Sequence, residues 1–371
     1  MPGFGFVVKY AADRLCGLMP GMKVYPRVLQ FPVTSRCNSL CKSCNIPSEG
    51  SKIDMSVELL RKLVRDPLLK KTESVGINGG EPSLMRNLPE LVGILLELPR
   101  IRSFTLITNG LLSDRVLEQS KAIVSQCRER GVRFSLSVSL DGVGEIHDEC
   151  RGIPHGFGRT VETIDRVLAE RSSYCDAFSV GCTVSKANVD HLVELDEFCR
   201  AKAYPVFYRL AVGNRRIFTD SCEMDFSVLA DENALQSAQE FFYGKIIDRS
   251  NRNWREKLVY FMILEYLLSK GTVRLANCFW AWRDATIDES GKLYYCATQS
   301  ESIGQLDGRN GRSLFFARDN QRYRKRLCAG HCSSCIHYAF MPTPGGLFRF
   351  ALFAGRWVAF SRLYKAMRRR L

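Results

Sequence analysis

Between residues 28 and 210, short β-rich runs alternate with amphipathic stretches, and that alternation limits the chain to few folds. The strand signals are Val28–Val33, Ser74–Asn78, Ser103–Thr108, Arg133–Ser139, Ala177–Val184 and Val206–Leu210. Between them, Ser56–Arg65, Leu88–Leu98, Asp114–Arg130, Arg159–Arg171 and Val189–Lys202 carry apolar residues three or four apart, the helical period. Strand and helix in turn build a parallel sheet of βα units. The expectation is an α/β fold, an incomplete (β/α)6 TIM-like barrel over residues 25–213. Such barrels carry their chemistry on the loops that follow the strands. Here those loops are CNSLCKSC after the first strand, Gly79-Gly80-Glu81-Pro82 after the second, Thr108-Asn109-Gly110 at the third and Ser139-Leu140-Asp141-Gly142 at the fourth. Each has an ordinary explanation, since Gly-Gly and Asn-Gly form turns and Ser or Asp caps helices. Their placement on one rim favours function.

The first loop is the most specific. Cys37, Cys41 and Cys44 form a CxxxCxxC run, which suits three corners of a four-iron, four-sulfur cluster and leaves the fourth iron open to a ligand. A structural zinc site closes with a fourth nearby Cys or His, and after Cys44 the next such residue is Cys127. The triad therefore reads as catalytic.

A second group lies near the other end. Cys278, Gly291 and Cys296 form C-x12-G-x4-C, with Thr286–Asp288 and Lys292–Tyr295 reading as strands around the turn Glu289-Ser290-Gly291. Cys328, Cys332 and Cys335 follow in CAGHCSSC. Five thiols thus compete for four places on one cluster. A zinc ribbon made from the same thiols, with His331 or His337 as spare ligands, is the structural alternative.

Size and composition fit this reading. The chain has 371 residues, 46% hydrophobic and 25% charged, enough for a large domain and a smaller one. Its 15 cysteines are odd in number and clustered, with no signal peptide pattern before them, so a reducing cytoplasm is expected rather than a disulfide framework. The net charge is +14, but seven basic and no acidic residues fall between Gly345 and the end. The body is only mildly basic, so nucleic acid is not an expected partner.

Together these motifs resemble the radical S-adenosylmethionine (SAM) enzymes. In that family the open iron chelates SAM, and one electron splits it to methionine and a 5'-deoxyadenosyl radical that takes hydrogen from a substrate. The resemblance implies that Gly79, Gly80, Glu81 and Pro82 contact the SAM amino group, with Asn109 on the same rim, and that Ser139, Asp141 and Arg151 hold its ribose or carboxylate. Ser43 stands where the family usually has an aromatic residue near the adenine. The stretch from Ser139 to Gly152, SLDGVGEIHDECRG, resembles the branch with a SPASM or shorter twitch extension. Within it, His147 and Asp148 read as loop anchors before acid and base, because adjacent residues do not face each other. The C-terminal cysteines resemble the single-cluster twitch arrangement, which implies Cys278, Cys296, Cys332 and Cys335 as ligands, with Cys328 spare or replacing one of them. The cofactors implied are a SAM-binding [4Fe-4S] cluster, SAM and one auxiliary [4Fe-4S] cluster, served by a flavodoxin- or ferredoxin-like electron donor. In the sulfatase-maturing branch an acidic base follows the second hairpin cysteine, and here that position is Ala297.

The remaining segments are an apolar N-terminus (1–24), a helical linker region (214–274), the auxiliary region (275–338) and a tail (339–371). The tail places Arg349, Arg356, Arg362 and Arg369 about seven apart among aromatic and aliphatic residues. That pattern fits either an interfacial helix at the inner face of the membrane or a helix packed on the barrel. It falls short of the roughly 20 apolar residues needed to span. A small molecule, a lipid-linked glycan or a peptide is the expected substrate. A peptide maturase of the SPASM type and an RNA-modifying iron-sulfur protein are the alternatives.

Overall fold

The computed structural model describes residues 22–44, 46–48, 52–217, 226–332, 335–337 and 341–354. Six parallel strands form where the apolar runs lie: β1 (Val28–Pro32), β2 (Ser74–Asn78), β3 (Ser103–Thr108), β4 (Arg133–Ser139), β5 (Ala177–Val184) and β6 (Val206–Leu210). They stand in sequence order in one sheet, as successive crossovers of one hand require. Phe104, Phe134 and Leu136 are fully covered. The helix Ser113–Glu129 buries Val116, Ile123 and Val124 in the same core.

Two elements differ from the periodicity. The fourth amphipathic helix runs Gly156–Ala169 rather than from Arg159, because Asp148 Oδ1 accepts the Phe157 N–H at 2.6 Å and fixes an earlier start. A short helix, Glu145–Arg151, precedes it; two turns are too few to show a period.

The sheet continues beyond β1. β8 (Ala285–Ile287) pairs parallel with β1, Leu29 opposite Ala285, and β9 (Lys292–Tyr294) and β10 (Ser302–Gln305) add antiparallel strands to make nine. The expected hairpin is present, with Thr286 opposite Tyr294, and the barrel and the cysteine-rich region share one sheet. Buried Asp284 secures the joint: Oδ1 accepts the N–H groups of Arg27 and Val28 at 3.2 Å each, and Arg283 Nε donates to it at 2.7 Å.

Region 214–274 is more than a connection. Its helices Glu232–Ile247 and Trp254–Leu268, capped by Asp231 and Asn253, bury Phe242, Tyr260 and Leu267 with Tyr208 of β6 in a second core. β11 (Met341–Pro342) pairs with β7 (Ala276–Asn277), and backbone 344–354 is helical. There Phe350 and Phe353 meet the Phe261 ring at 5.4 and 5.2 Å, and Arg349 pairs with Glu265 at 2.8 Å. Residues 1–21 and Arg356, Arg362 and Arg369 lie outside the described residues. Among those described, no helix is long and apolar enough to cross a membrane.

Candidate active site and auxiliary cysteine cavity

The cysteine loop leaves β1 and is held by three neighbouring loops, two through backbone contacts and the third through the Asn109 side chain. Gly80 N–H donates to Thr34 O and Glu81 N–H to Arg36 O, both at 2.7 Å. The two loops approach so closely that a Cβ on Gly79 would lie 2.3 Å from Thr34 O, and one on Gly80 2.0 Å from Arg36 O; only glycine fits. From the third loop, Asn109 Nδ2 donates to Asn38 Oδ1 at 2.7 Å and to Ser39 Oγ at 3.0 Å. From the fourth, Arg151 O and Cys150 O accept the N–H groups of Leu40 and Lys42, at 2.9 and 3.1 Å. Within the loop, Cys44 N–H turns back to Cys41 O at 3.0 Å.

The structure brings most of the predicted rim residues together and gives several of them internal partners. Glu81 is 1% exposed and its carboxylate is fully engaged: Thr108 Oγ1 and Ser83 N–H donate to Oε1, and Asn109 N–H to Oε2, at 2.7, 3.0 and 2.7 Å. It ties the second loop to the third, and Pro82 opens the 3-10 turn that follows. Ser139 is buried at the end of β4. Asp141 accepts the Thr183 N–H on Oδ1 at 2.8 Å and pairs with Arg151 through Oδ2 at 2.7 Å. Arg151 Nη1 lies 3.8 Å from Cys41 Sγ, and its Nε has no hydrogen-bond partner. Burial opposes this charge, but Asp141 and Cys41 outweigh it and hold the guanidinium above its ordinary value.

His147 anchors the loop. Its Nδ1 accepts the Asp141 N–H at 3.1 Å, which leaves the proton on Nε2, 3.5 Å from Thr160 Oγ1; Thr160 in turn donates to Asn109 O at 3.0 Å. Burial, helped by Arg151, lowers its pKa to about 4, so the ring is neutral near pH 7. Burial pushes the Cys37 thiol up to about 12, so a thiolate there needs a cation beside it. An iron-sulfur core supplies one, and three thiols on one half-exposed, firmly held loop fit it.

At the other end, Cys278, Cys296, Cys328, Cys332 and Cys335 all line one cavity, with Arg274, Arg324 and His331. Among the described residues no three His, Cys, Asp or Glu side chains stand close enough to hold one ion. Arg274 fixes the last two thiols, donating from Nε to Ala276 O at 2.7 Å and from Nη1 to the carbonyls of Cys332 and Cys335. A hydrogen bond from Cys332 lowers the pKa of Cys328, and the same bond, with burial, raises that of Cys332. Burial pushes Cys278 up to about 12 and pulls Arg324 down to about 10, still cationic near neutrality.

Sequence reasoning missed Asn38, Ser39 and Thr160 on the rim and Arg274 and Arg324 in the cavity. The first two are inside the cysteine motif and were legible as its polar spacers. The others carry no spacing signal.

Residues 31–199 match the model of the Radical SAM superfamily. The chain is 27% identical over 201 residues to an AdoMet-dependent heme synthase of Methanosarcina barkeri, covering 53% of this chain and 54% of that one. It spans about half the length of that relative. A solved structure, native anSMEcpe with bound AdoMet (SAM) and Kp18Cys peptide, superposes with a TM-score of 0.60 at 16% identity, over 92% of this chain and 99% of that one. Streptococcus suis SuiB bound to precursor peptide SuiA gives 0.55 at 15% identity, over 86% and 71%. These likenesses establish a shared fold.

Proposed function

With residues 31–199 forming a radical SAM domain, we propose that the chain is a radical SAM enzyme with one auxiliary iron-sulfur cluster. Bound at Cys37, Cys41 and Cys44, a [4Fe-4S] cluster would supply the electron that cleaves SAM to a 5'-deoxyadenosyl radical, the hydrogen-abstracting species. The observation that carries this reading is the docking of the cysteine loop on three rim loops, by backbone hydrogen bonds to the second and fourth and through the Asn109 side chain to the third. Such docking fixes three thiols before any cluster binds. Arg151, paired with Asp141 and close to Cys41, presents a cation and an unused Nε–H where an anionic SAM carboxylate can be held. Asn109 and Glu81 keep the loops in register, while His147, neutral, moves no proton. The auxiliary ligands come from Cys278, Cys296, Cys328, Cys332 and Cys335. A flavodoxin- or ferredoxin-like protein is the electron donor.

The test is anaerobic reconstitution with iron and sulfide, then dithionite and SAM. About eight irons per chain and 5'-deoxyadenosine that vanishes in Cys41→Ala support the reading. Zinc in place of iron, with no nucleoside, overturns it.

For the substrate, a peptide is favoured over a small molecule or lipid-linked glycan by the two similar folds solved with peptides. The acid-dependent chemistry of the sulfatase-maturing branch is disfavoured by Ala297, which is also buried. Deuterium transfer from labelled peptides into 5'-deoxyadenosine would distinguish the classes: transfer from small alcohols alone would remove the peptide reading. An RNA substrate is tested by tRNA binding at two salt concentrations, since absence of a steep salt dependence excludes it.

A further inference from the structure

We propose that Arg324 raises the midpoint potential of the auxiliary cluster by presenting to it a buried positive charge with no carboxylate partner and an unused Nε–H. This rests on the reading of the five-cysteine cavity as a cluster site. Arg324 lies on the helix Arg318–His331 four residues before Cys328, so the two side chains share a face, and both line the cavity.

The side chain is 4% exposed and rigidly held. Nη2 donates to Trp280 O at 2.7 Å and to Asp284 O at 3.3 Å. The guanidinium lies over the Tyr295 ring at 4.5 Å and the Phe315 ring at 5.1 Å. Its Nε has no hydrogen-bond partner. The neighbouring carboxylate of Asp284 is committed elsewhere, to Arg283 and to the N–H groups of Arg27 and Val28; only the Asp284 carbonyl meets Arg324. A buried cation with no anion is strongly unfavourable. Four of the cavity's five cysteines, as thiolates holding an iron-sulfur core, would provide the missing negative charge.

The direction of the effect follows from charge. A reduced cluster carries one more negative charge than the oxidised one, and net charge and hydrogen bonds to sulfur set its potential. A fixed cation with a free N–H favours the reduced state, so the cluster accepts one electron more readily. Arg274 serves differently, because its donors hold the backbone carbonyls of Ala276, Cys332 and Cys335.

The experiment uses the full chain with Cys37, Cys41 and Cys44 all changed to Ala, so that one cluster remains, and follows its reduction by EPR-monitored titration. Arg324→Met should lower the reduced-to-oxidised ratio at a fixed potential at least about tenfold, about 59 mV for one electron. Arg324→Lys, which keeps the charge, should return it to within about threefold, about 30 mV. If Met loses the cluster while Lys keeps it near the parent potential, the charge role is equally supported. Equal potentials in all three proteins overturn the proposal, and so does equal loss of cluster in both variants, which marks a purely structural residue. Absence of any cluster in the parent of this series overturns the auxiliary-cluster reading itself, and the proposal with it.

Discussion

The two cysteine sites are built in opposite ways. In the front site Cys37, Cys41 and Cys44 come from one eight-residue run, and the fold's task is to hold that run against the loops after β2, β3 and β4. In the rear site five thiols come from separate places: the segment after β7, the end of β9, the helix Arg318–His331 and the loop beyond it. The front has a backbone lock with a single guanidinium, Arg151, near a thiol; the rear has two arginines in its wall. A local motif needs only a rigid seat, whereas a dispersed one needs the tertiary fold to assemble it and charged side chains to balance what is buried.

The comparison breaks most sharply by removing one thiol from each side. Cys41→Ala should abolish 5'-deoxyadenosine formation and reduce iron from about eight to about four per chain, as measured by nucleoside chromatography and iron assay. Cys278→Ala should leave SAM cleavage while removing the other cluster. Parallel loss of SAM cleavage in both would show the sites to be inseparable. Alanine substitutions at Cys296, Cys328, Cys332 and Cys335 then identify the spare thiol, as the one whose loss leaves the iron count unchanged.

The seat of the front loop is tested by Gly80→Ala. Its Cβ would stand 2.0 Å from Arg36 O, so the loops must separate, at a cost of about 1–3 kcal/mol. The expected result is a lower Tm and weaker SAM-dependent turnover with the rear cluster still loaded. Gly152→Ala should behave similarly, because its Cβ would meet Leu40 O at 2.3 Å from a backbone at φ +62°.

A smaller effect concerns pH. His147 has a folded pKa of about 4 against 6.5 when unperturbed. Between those values the unfolded chain binds the proton and the folded one does not, so stability is complete above about 6.5 and falls as pH drops toward 4, by about 3 kcal/mol at most. His147→Gln should flatten the Tm profile between pH 7 and 4.5. An unchanged slope would show that this ring is not the group responsible.

The strands and the rim were legible because both are local signals: β-rich runs of five to eight residues, and loop residues of unusual type. What those residues touch was not. Glu81 reads in sequence as an acid facing a ligand, yet its oxygens serve Thr108, Ser83 and Asn109, a choice made by loop packing. The Gly79-Gly80 pair reads in sequence as a contact to a ligand, and its close packing on Thr34 and Arg36 is visible only in the structure. Arg324 sits in a stretch rich in basic residues, where nothing but tertiary burial sets it apart from Arg322 or Lys325.

The pairing of β8 with β1 joins Leu29 to Ala285, 256 positions apart. During synthesis the edge of the first strand, beside the cysteine loop, stays unpaired until most of the chain has left the ribosome. Open edges invite association with other chains, and pairings this distant form slowly. Cluster loading before that edge closes would meet a loop whose supporting sheet is still incomplete.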